Sequence, residues 1–125
     1  MMPPEAHNRA AALQIFAYIE EHLPDPDLSP ATVAAANHLS VRALHRLFER
    51  HETTVAVWIR QRRLERVRRD LLDPALRARP VSAIGARWGL PNPSHLSRAF
   101  HAAYGRSPAR YRAEVNPPRS PSGPG

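Results

Sequence analysis

Cysteine and lysine are both missing from the 125-residue sequence, and only 6% of its residues are aromatic. Without cysteine the chain forms no disulfide, no thiolate nucleophile and no cysteine-based zinc site, a pattern typical of intracellular proteins. No apolar run approaches the roughly 18 residues of a membrane span, and residues 1–8 lack the features of a secretory signal. The sequence therefore predicts a soluble cytoplasmic protein that is neither exported nor inserted in a membrane.

The absence of lysine makes arginine the source of all 18 basic side chains, and the formal net charge is +7. Such an excess predicts an anionic partner. The planar guanidinium of arginine grips a phosphate or a guanine edge with two hydrogen bonds, which a lysine ammonium cannot do. Nucleic acid is therefore the first candidate partner, ahead of acidic proteins or membrane surfaces.

Catalysis is not expected from this sequence. A chain of this length forms one compact domain or two very small ones, which leaves little room for an elaborate active site. Its seven histidines show neither metal-ligand spacing nor a pair at i, i+4 beside a carboxylate. We expect no enzyme activity, no metal and no cofactor.

The predicted fold class is all-α, because strand signals are nearly absent and apolar residues recur at helical spacing. Serine or asparagine followed by proline, as at Ser29, Asn92 and Ser107, is typical of a capped helix start. In the first helix we expect Leu13, Phe16, Ala17 and Ile19 to face inward. Seven helices are predicted, at residues 8–22, 30–37, 41–50, 54–72, 81–88, 93–104 and 108–115.

An internal repeat organises these helices. Residues 40–48, SVRALHRLF, match residues 92–100, NPSHLSRAF, in their cap, leucine, arginine and phenylalanine. The preceding Val33-Ala34 matches Ile84-Gly85, with one extra residue in the second copy, at Pro91. A short helix with a small residue, followed by a turn and a capped helix, is the helix-turn-helix plan.

The repeat predicts two helix-turn-helix subdomains joined by a linker helix. A linker helix of about 19 residues would be roughly 28 Å long at 1.5 Å per residue, and one turn of B-DNA is about 34 Å. The two second helices are therefore expected to enter successive major grooves, with the chain binding as a monomer. The predicted segments are a disordered tail at 1–7, subdomains at 8–53 and 74–115, the linker at 54–73 and a disordered tail at 116–125.

The stretch VSAIGARWGLPNPSHLSRAFHAAYGRSPARYR resembles the signature of the AraC/XylS family, and LSPATVAAANHLSVRALHRLF with WIRQRRLERVRRDLLDPA resembles the first half of the family's domain. The resemblance covers residues 8 to 114. It implies seven helices, two recognition helices in adjacent major grooves, and control of transcription initiation through contact with RNA polymerase. Members commonly carry a second domain that binds an effector or dimerises, so the chain is either a freestanding regulator or a fragment.

The same resemblance implies roles for individual residues. The closing motif of Gly105, Ser107, Pro108, Tyr111 and Arg112 is interpreted as structural support. Contacts to the DNA backbone are expected from Ser40 and Ser97. Arg62 is also expected to contact the backbone, because it belongs to the arginine-rich linker helix rather than because of the resemblance. The expected base-contacting residues are Arg42, His45 and Arg46 in the first subdomain and Ser94, His95 and Arg98 in the second.

Four positions depart from the family pattern. Gly85 replaces the usual alanine, at a helix-propensity cost of about 1 kcal/mol, and Leu90 replaces a frequent phenylalanine. His38 and Glu52 stand where glycine is common, and we expect Asn37 to take the left-handed conformation near His38. These departures predict a looser domain with a distorted first turn.

Two other functions fit parts of the sequence. A helical domain of this size could act as a DNA-independent interaction module that modulates RNA polymerase or another regulator. A basic chain could also package DNA without sequence preference. Arginine and histidine on the outer faces of both second helices favour DNA binding over the interaction module. Nonspecific packaging stays open, and a salt titration separates it from sequence-specific binding.

Overall fold

The computed structural model describes residues 4–117, with side chains from residue 9 onward. Within that range every regular element is helical, which confirms the predicted all-α class, and no helix is long and apolar enough to cross a bilayer. Each predicted helix is present, and a short 3-10 turn at Pro74–Leu76 is added. The helices are α1 (Pro4–His22), α2 (Pro30–Ala36), α3 (Val41–Glu49), α4 (Val55–Leu72), α5 (Val81–Arg87), α6 (Pro93–Tyr104) and α7 (Pro108–Val115).

The helix starts follow from local capping. The Ser29 hydroxyl accepts a hydrogen bond from Thr32 N at 3.2 Å, and the Thr32 hydroxyl oxygen accepts one from Ser29 N at 2.9 Å, which completes a capping box. Asn92 and Ser107 accept from the backbone N–H groups three residues ahead. All three serine-proline or asparagine-proline pairs therefore start helices as predicted, since proline fits the first helical position.

The two predicted tails are shorter than expected where the structure describes them. Helix α1 begins at Pro4 rather than at residue 8, because proline is tolerated in the first turn of a helix. At the other end Asn116 is only 5% exposed, so the ordered chain continues past residue 115. The remaining predicted tail residues, 1–3 and 118–125, lie outside the described residues.

The buried face of α1 is also different from the predicted one. Ile15, Ile19 and Leu23 are buried at i, i+4 spacing, whereas Leu13 is 70% exposed and Ala17 is exposed. Residues 13 and 17 lie two positions from Ile15 and Ile19, which is about 200° round a helix of 3.6 residues per turn. The apolar side chain of Leu13 is therefore left in solvent.

The chain divides into two compact units, one ending at Arg62 and the other beginning at Arg63. The division falls inside α4, so this helix supplies residues to both units, whereas we had predicted it as a separate segment at 54–73. In the first unit, the rings of Phe16, Phe48 and Trp58 lie 4.8–6.4 Å apart. The buried apolar residues of the first unit are Ile15, Ile19, Leu23, Leu28, Val33, Ala34, Leu44, Phe48, Val55 and Ile59.

The second unit has its own core and two polar anchors. Trp88 Nε1 donates to Asp70 Oδ2 at 2.7 Å, which fixes the tryptophan against α4. The Asn116 side-chain amide donates to the carbonyl oxygens of Leu71, at 3.1 Å, and Asp73, at 3.2 Å. The core consists of Leu64, Val67, Leu71, Ile84, Leu90, Leu96 and Phe100, with Val81, Trp88, Ala99, Tyr104 and Tyr111 packed against it.

Candidate nucleic-acid interface

The first helix-turn-helix consists of α2, a tight turn and α3. Leu39 N donates to Ala34 O at 2.9 Å and His38 N donates to Ala35 O at 3.3 Å. This pair of bonds is a Schellman motif, which requires a left-handed residue between its partners, and His38 takes that role with φ of 57°. The expectation for Asn37 was wrong: its φ is −106°, and its side chain instead donates to Val33 O at 2.8 Å.

The second helix-turn-helix, α5 to α6, repeats this turn. Leu90 N donates to Gly85 O at 2.9 Å and Gly89 N donates to Ala86 O at 3.1 Å, and the left-handed residue is Gly89 with φ of 80°. The two copies therefore share backbone geometry as well as sequence. The distorted first turn that the departures from the family pattern predicted is therefore not observed, because His38 takes the same left-handed conformation as Gly89.

Helix α3 is anchored by Leu44 and Phe48, which are both 0% exposed. The Ser40 hydroxyl accepts from Ala43 N at 3.0 Å and caps its start. The three residues predicted to contact bases in this unit are all exposed and lie on the side of α3 away from the core; they are Arg42, His45 and Arg46. The structure therefore places them together on one outward face.

Helix α6 is built in the same way. Leu96 and Phe100 are 1% and 0% exposed, and the Asn92 side chain caps the helix by accepting from His95 N at 3.0 Å. The residues predicted to contact DNA in this unit are all exposed; they are Ser94, His95, Ser97 and Arg98. Arg46 and Arg98 occupy equivalent places in the two copies, two residues after the buried leucine.

Exposed arginines supply the positive charge on the outer faces of helices α3 and α6. Among the residues with described side chains, no carboxylate oxygen lies within 4.0 Å of the guanidinium groups of Arg42, Arg46 or Arg98. Helix starts add partial positive charge at Ser40 and Asn92, because the first backbone N–H groups of a helix have no partner within it. Both outer faces therefore suit an anionic surface rich in hydrogen-bond acceptors.

The three predicted backbone contacts have different surroundings. Ser97 is exposed on α6, and Ser40 uses its oxygen as an acceptor for the cap while its O–H stays able to donate. Arg62, in contrast, forms an ion pair with Glu20 of α1, and both side chains are about 30% exposed. Sequence reasoning missed this pairing because the two residues lie 42 positions apart. A phosphate contact by Arg62 stays a prediction.

The other arginines of α4 are partly committed to the fold. Arg63 is only 8% exposed, so it cannot contribute a surface charge. The guanidinium carbon of Arg66 lies 5.7 Å from the Trp88 ring centroid, and that of Arg68 lies 5.3 Å from the Tyr104 centroid, within cation–π range. The arginines of this helix that are exposed are Arg60, Arg68 and Arg69.

The closing motif supports the second unit, as predicted. The Ser107 hydroxyl accepts from Arg110 N at 3.2 Å and starts α7, and the Tyr111 ring lies 5.5 Å from the Phe100 ring. The Arg112 guanidinium donates to Arg79 O. Gly105 ends α6 with φ of 79°, in the left-handed region that favours glycine.

Metal-binding chemistry has no candidate in the described part of the chain, where no group of three or more histidine, aspartate or glutamate side chains could hold an ion. The candidate interface consists of arginine, histidine and serine side chains and two capped helix starts.

The chain is similar to several known proteins. A family model described as a helix-turn-helix domain matches residues 33–114. The transcriptional activator NphR of Rhodococcus sp is 36% identical over 110 residues, which are 88% of this chain and 32% of that protein. The XylDLEGF operon transcriptional activator of Pseudomonas putida is 31% identical over 97 residues, 77% of this chain and 30% of that protein. The chain thus spans about a third of the length of these curated relatives.

A solved structure shows the same fold. A transcriptional regulator from Chromobacterium violaceum, described as containing an AraC-type DNA-binding domain, has a TM-score of 0.77 and 23% identity. The match covers 90% of this chain and 98% of the other.

Proposed function

The chain belongs to the AraC/XylS helix-turn-helix family, and from this premise we propose that it is a sequence-specific, DNA-binding transcription regulator. Helices α3 and α6 each enter a major groove of double-stranded DNA. The observation that carries the proposal is the equivalence of Arg46 and Arg98: each is exposed, two residues after a buried leucine, on the outer face of a capped helix.

The side chains on these faces suit base recognition. Arginine donates two parallel hydrogen bonds to O6 and N7 of guanine, a contact worth about 1–3 kcal/mol of discrimination. Histidine and serine donate to or accept from several base edges and phosphates. Arg42, His45 and Arg46 read one half-site, and Ser94, His95 and Arg98 read the other, while Ser40, Ser97 and Arg62 contact the backbone.

One chain carries both DNA-binding helices, α3 and α6, so it recognises two half-sites as a monomer. We expect the half-sites to lie about one helical turn apart, in successive major grooves. Because the two faces differ in sequence, with Arg42 and His45 matched by Ser94 and Ser97 at the same repeat positions, the binding site is asymmetric.

The choice between activation and repression is proposed from the names of the relatives. The two relatives described above are named transcriptional activators. The proposal for this chain is accordingly activation through contact with RNA polymerase, at the nucleoid in the bacterial cytoplasm.

Fluorescence anisotropy with labelled DNA tests base reading. Arg46→Ala and Arg98→Ala are each expected to weaken binding to the preferred site by about 1–3 kcal/mol, with a smaller effect on unrelated duplexes. Arg110→Ala is the matched control, since Arg110 is exposed and pairs with Glu114 on α7. Equal losses on every DNA sequence would show that both arginines contact only phosphate.

A further inference from the structure

An open apolar groove of about 720 Å³ runs between α1 and α3 in the first unit. Its walls include Leu13 and Phe16 from α1, Ala43 and Leu47 from α3, and Leu39 from the turn before α3. Leu13 is 70% exposed, although burial of a leucine side chain is favourable. A continuous exposed apolar surface of this kind is typical of an interaction site.

Three arginines border the groove: Arg9 on the α1 side, and Arg46 and Arg50 on the α3 side. Among the residues with described side chains, none of the three has a carboxylate oxygen within 4.0 Å. The groove therefore combines apolar side chains with arginines on both walls. The complementary surface has an apolar ridge flanked by acidic side chains.

We propose that this groove, called here the α1–α3 groove, binds an amphipathic α-helix of a partner protein, with leucine-like side chains on one face and glutamate or aspartate beside them. The helical walls run from Arg9 to Phe16 on one side and from Ala43 to Arg50 on the other, about 10 Å each at the helical rise of 1.5 Å per residue. That length accepts anchors at i, i+3, i+4 and i+7, as in other helix-in-groove complexes.

The distribution of charge favours a helix over a small amphipathic anion. One carboxylate could neutralise a single arginine, whereas the groove has separate cations on its two walls. Acidic residues on both flanks of a helix would meet both walls. The apolar contacts supply affinity and the charges fix orientation and exclude basic partners.

Arg46 links this groove to DNA binding. It lies on the wall of the groove and also on the outward face of α3, where the proposed function assigns it to a base contact. A partner helix that pairs with Arg46 therefore competes with DNA for the first unit. This competition rests on the proposed function, whereas the docking of the helix does not.

The test uses the full 125-residue chain and a synthetic probe. The probe is a peptide of about four helical turns with leucine at i, i+3, i+4 and i+7 and glutamate on both flanks. The chain has two tryptophans, one in each unit. The ring centroid of Trp58 lies 4.8 Å from that of the groove residue Phe16, whereas Trp88 belongs to the second unit. With 5-fluorotryptophan labelling, saturating peptide is expected to shift the Trp58 fluorine resonance and leave that of Trp88 in place.

Matched variants distinguish peptide binding in the groove from non-specific binding elsewhere on the chain. Leu13→Gln and Arg50→Glu are each expected to weaken peptide binding about tenfold, because each removes a side chain that contributes to the interface. Leu72→Gln and Arg60→Glu make the same changes at exposed positions outside the groove and are expected to change binding less than about twofold. A peptide with lysine flanks should bind Arg50→Glu better than the original chain.

Absence of saturable peptide binding, equal binding of a scrambled peptide, or no effect of Leu13→Gln would overturn the proposal. So would displacement of the peptide by dodecyl sulfate monomers at equal concentration, because it would show a site for small amphiphiles. The peptide titration is made without DNA, so it stands even if the chain fails to read DNA. A separate titration with DNA present tests the competition, in which the peptide should lower affinity for the preferred DNA site about tenfold.

Discussion

Leu96 packs against Gly85 so closely that a Cβ added to the glycine would lie 2.5 Å from Leu96 Cδ2 and 3.1 Å from the Leu90 carbonyl oxygen. Both residues are buried, at the crossing of α5 and α6. The glycine, which the sequence suggested as a cause of looseness, is therefore what lets the two helices of the second helix-turn-helix approach. The equivalent residue of the first unit, Ala34, carries a Cβ at the corresponding place.

Gly85→Ala is expected to lower the stability of the second unit by up to about 2 kcal/mol. Alanine gains about 1 kcal/mol in helix propensity, but overpacking a buried site costs about 1–3 kcal/mol. The Leu96 methyl group can rotate away, whereas the Leu90 carbonyl is backbone. Urea unfolding, followed by the fluorine resonance of labelled Trp88, measures the change. A more stable variant would show that the α5–α6 crossing has space for an added methyl group.

A double variant separates crowding by Leu96 from crowding by the backbone. In Gly85→Ala with Leu96→Val, the shorter side chain should recover part of the loss, so the two changes should couple by about 0.5–1 kcal/mol. Additive losses would place the clash at Leu90 instead.

His38→Gly is expected to stabilise the first unit by about 0.5–1 kcal/mol. His38 holds a φ of 57°, and a left-handed backbone costs a non-glycine residue about 1–2 kcal/mol, part of which is offset because glycine is freer in the unfolded chain. The reciprocal change, Gly89→Ala at φ of 80°, should destabilise the second unit by a similar amount. Amide hydrogen exchange in α2 and α5 reports each unit separately, and a destabilised His38→Gly variant would contradict the interpretation.

Much of this fold follows from short-range rules that are visible in the sequence. The capped starts at Ser29, Asn92 and Ser107, and the repeated leucine and phenylalanine of α3 and α6, depend only on neighbouring residues. The outward placement of Arg46 and Arg98 follows from that same spacing. Local sequence was therefore sufficient for the helices and for the faces proposed to bind DNA.

Long-range partners could not be found in this way. The ion pair between Arg62 and Glu20, and the Trp88 to Asp70 hydrogen bond, join residues that only the folded chain brings together. On α1, apolar and small residues occur on more than one side, so spacing alone did not identify the buried face and Leu13 was placed inside. Asn116 was missed because the proline-rich sequence after it dominates that region.

Asn116→Ala is expected to destabilise the second unit by about 1–3 kcal/mol, the cost of leaving buried polar groups without partners. The side chain donates to Leu71 O and Asp73 O, and its oxygen accepts from Arg77 Nε at 3.2 Å, so three bonds are lost together. Val115→Ala, at a 45% exposed position next to it, is the control and should change stability by less than about 0.5 kcal/mol. Equal effects of the two substitutions in urea unfolding would argue against a specific role for Asn116.

Tyr104 should make the second unit sensitive to alkaline pH. Burial raises the pKa of its hydroxyl above the usual value, and the nearby Arg68 guanidinium opposes this only in part. The folded chain therefore keeps a proton that the unfolded chain releases near pH 10, so this contribution to stability is present below about pH 10 and is lost as pH rises through the raised pKa. Tyr104→Phe should flatten the alkaline decline in stability, and an unchanged decline would assign it to another group.

Random-site selection with the purified chain tests the central claim most directly. It asks whether the chain has two sequence-specific DNA-binding helices without assuming a target DNA sequence. The account predicts enrichment of two different short motifs about one helical turn apart. Arg46→Ala should reduce the enrichment of one motif and Arg98→Ala that of the other, while each variant leaves the second motif unchanged. No enriched sequence, or the same pair of motifs with all three proteins, would contradict the account.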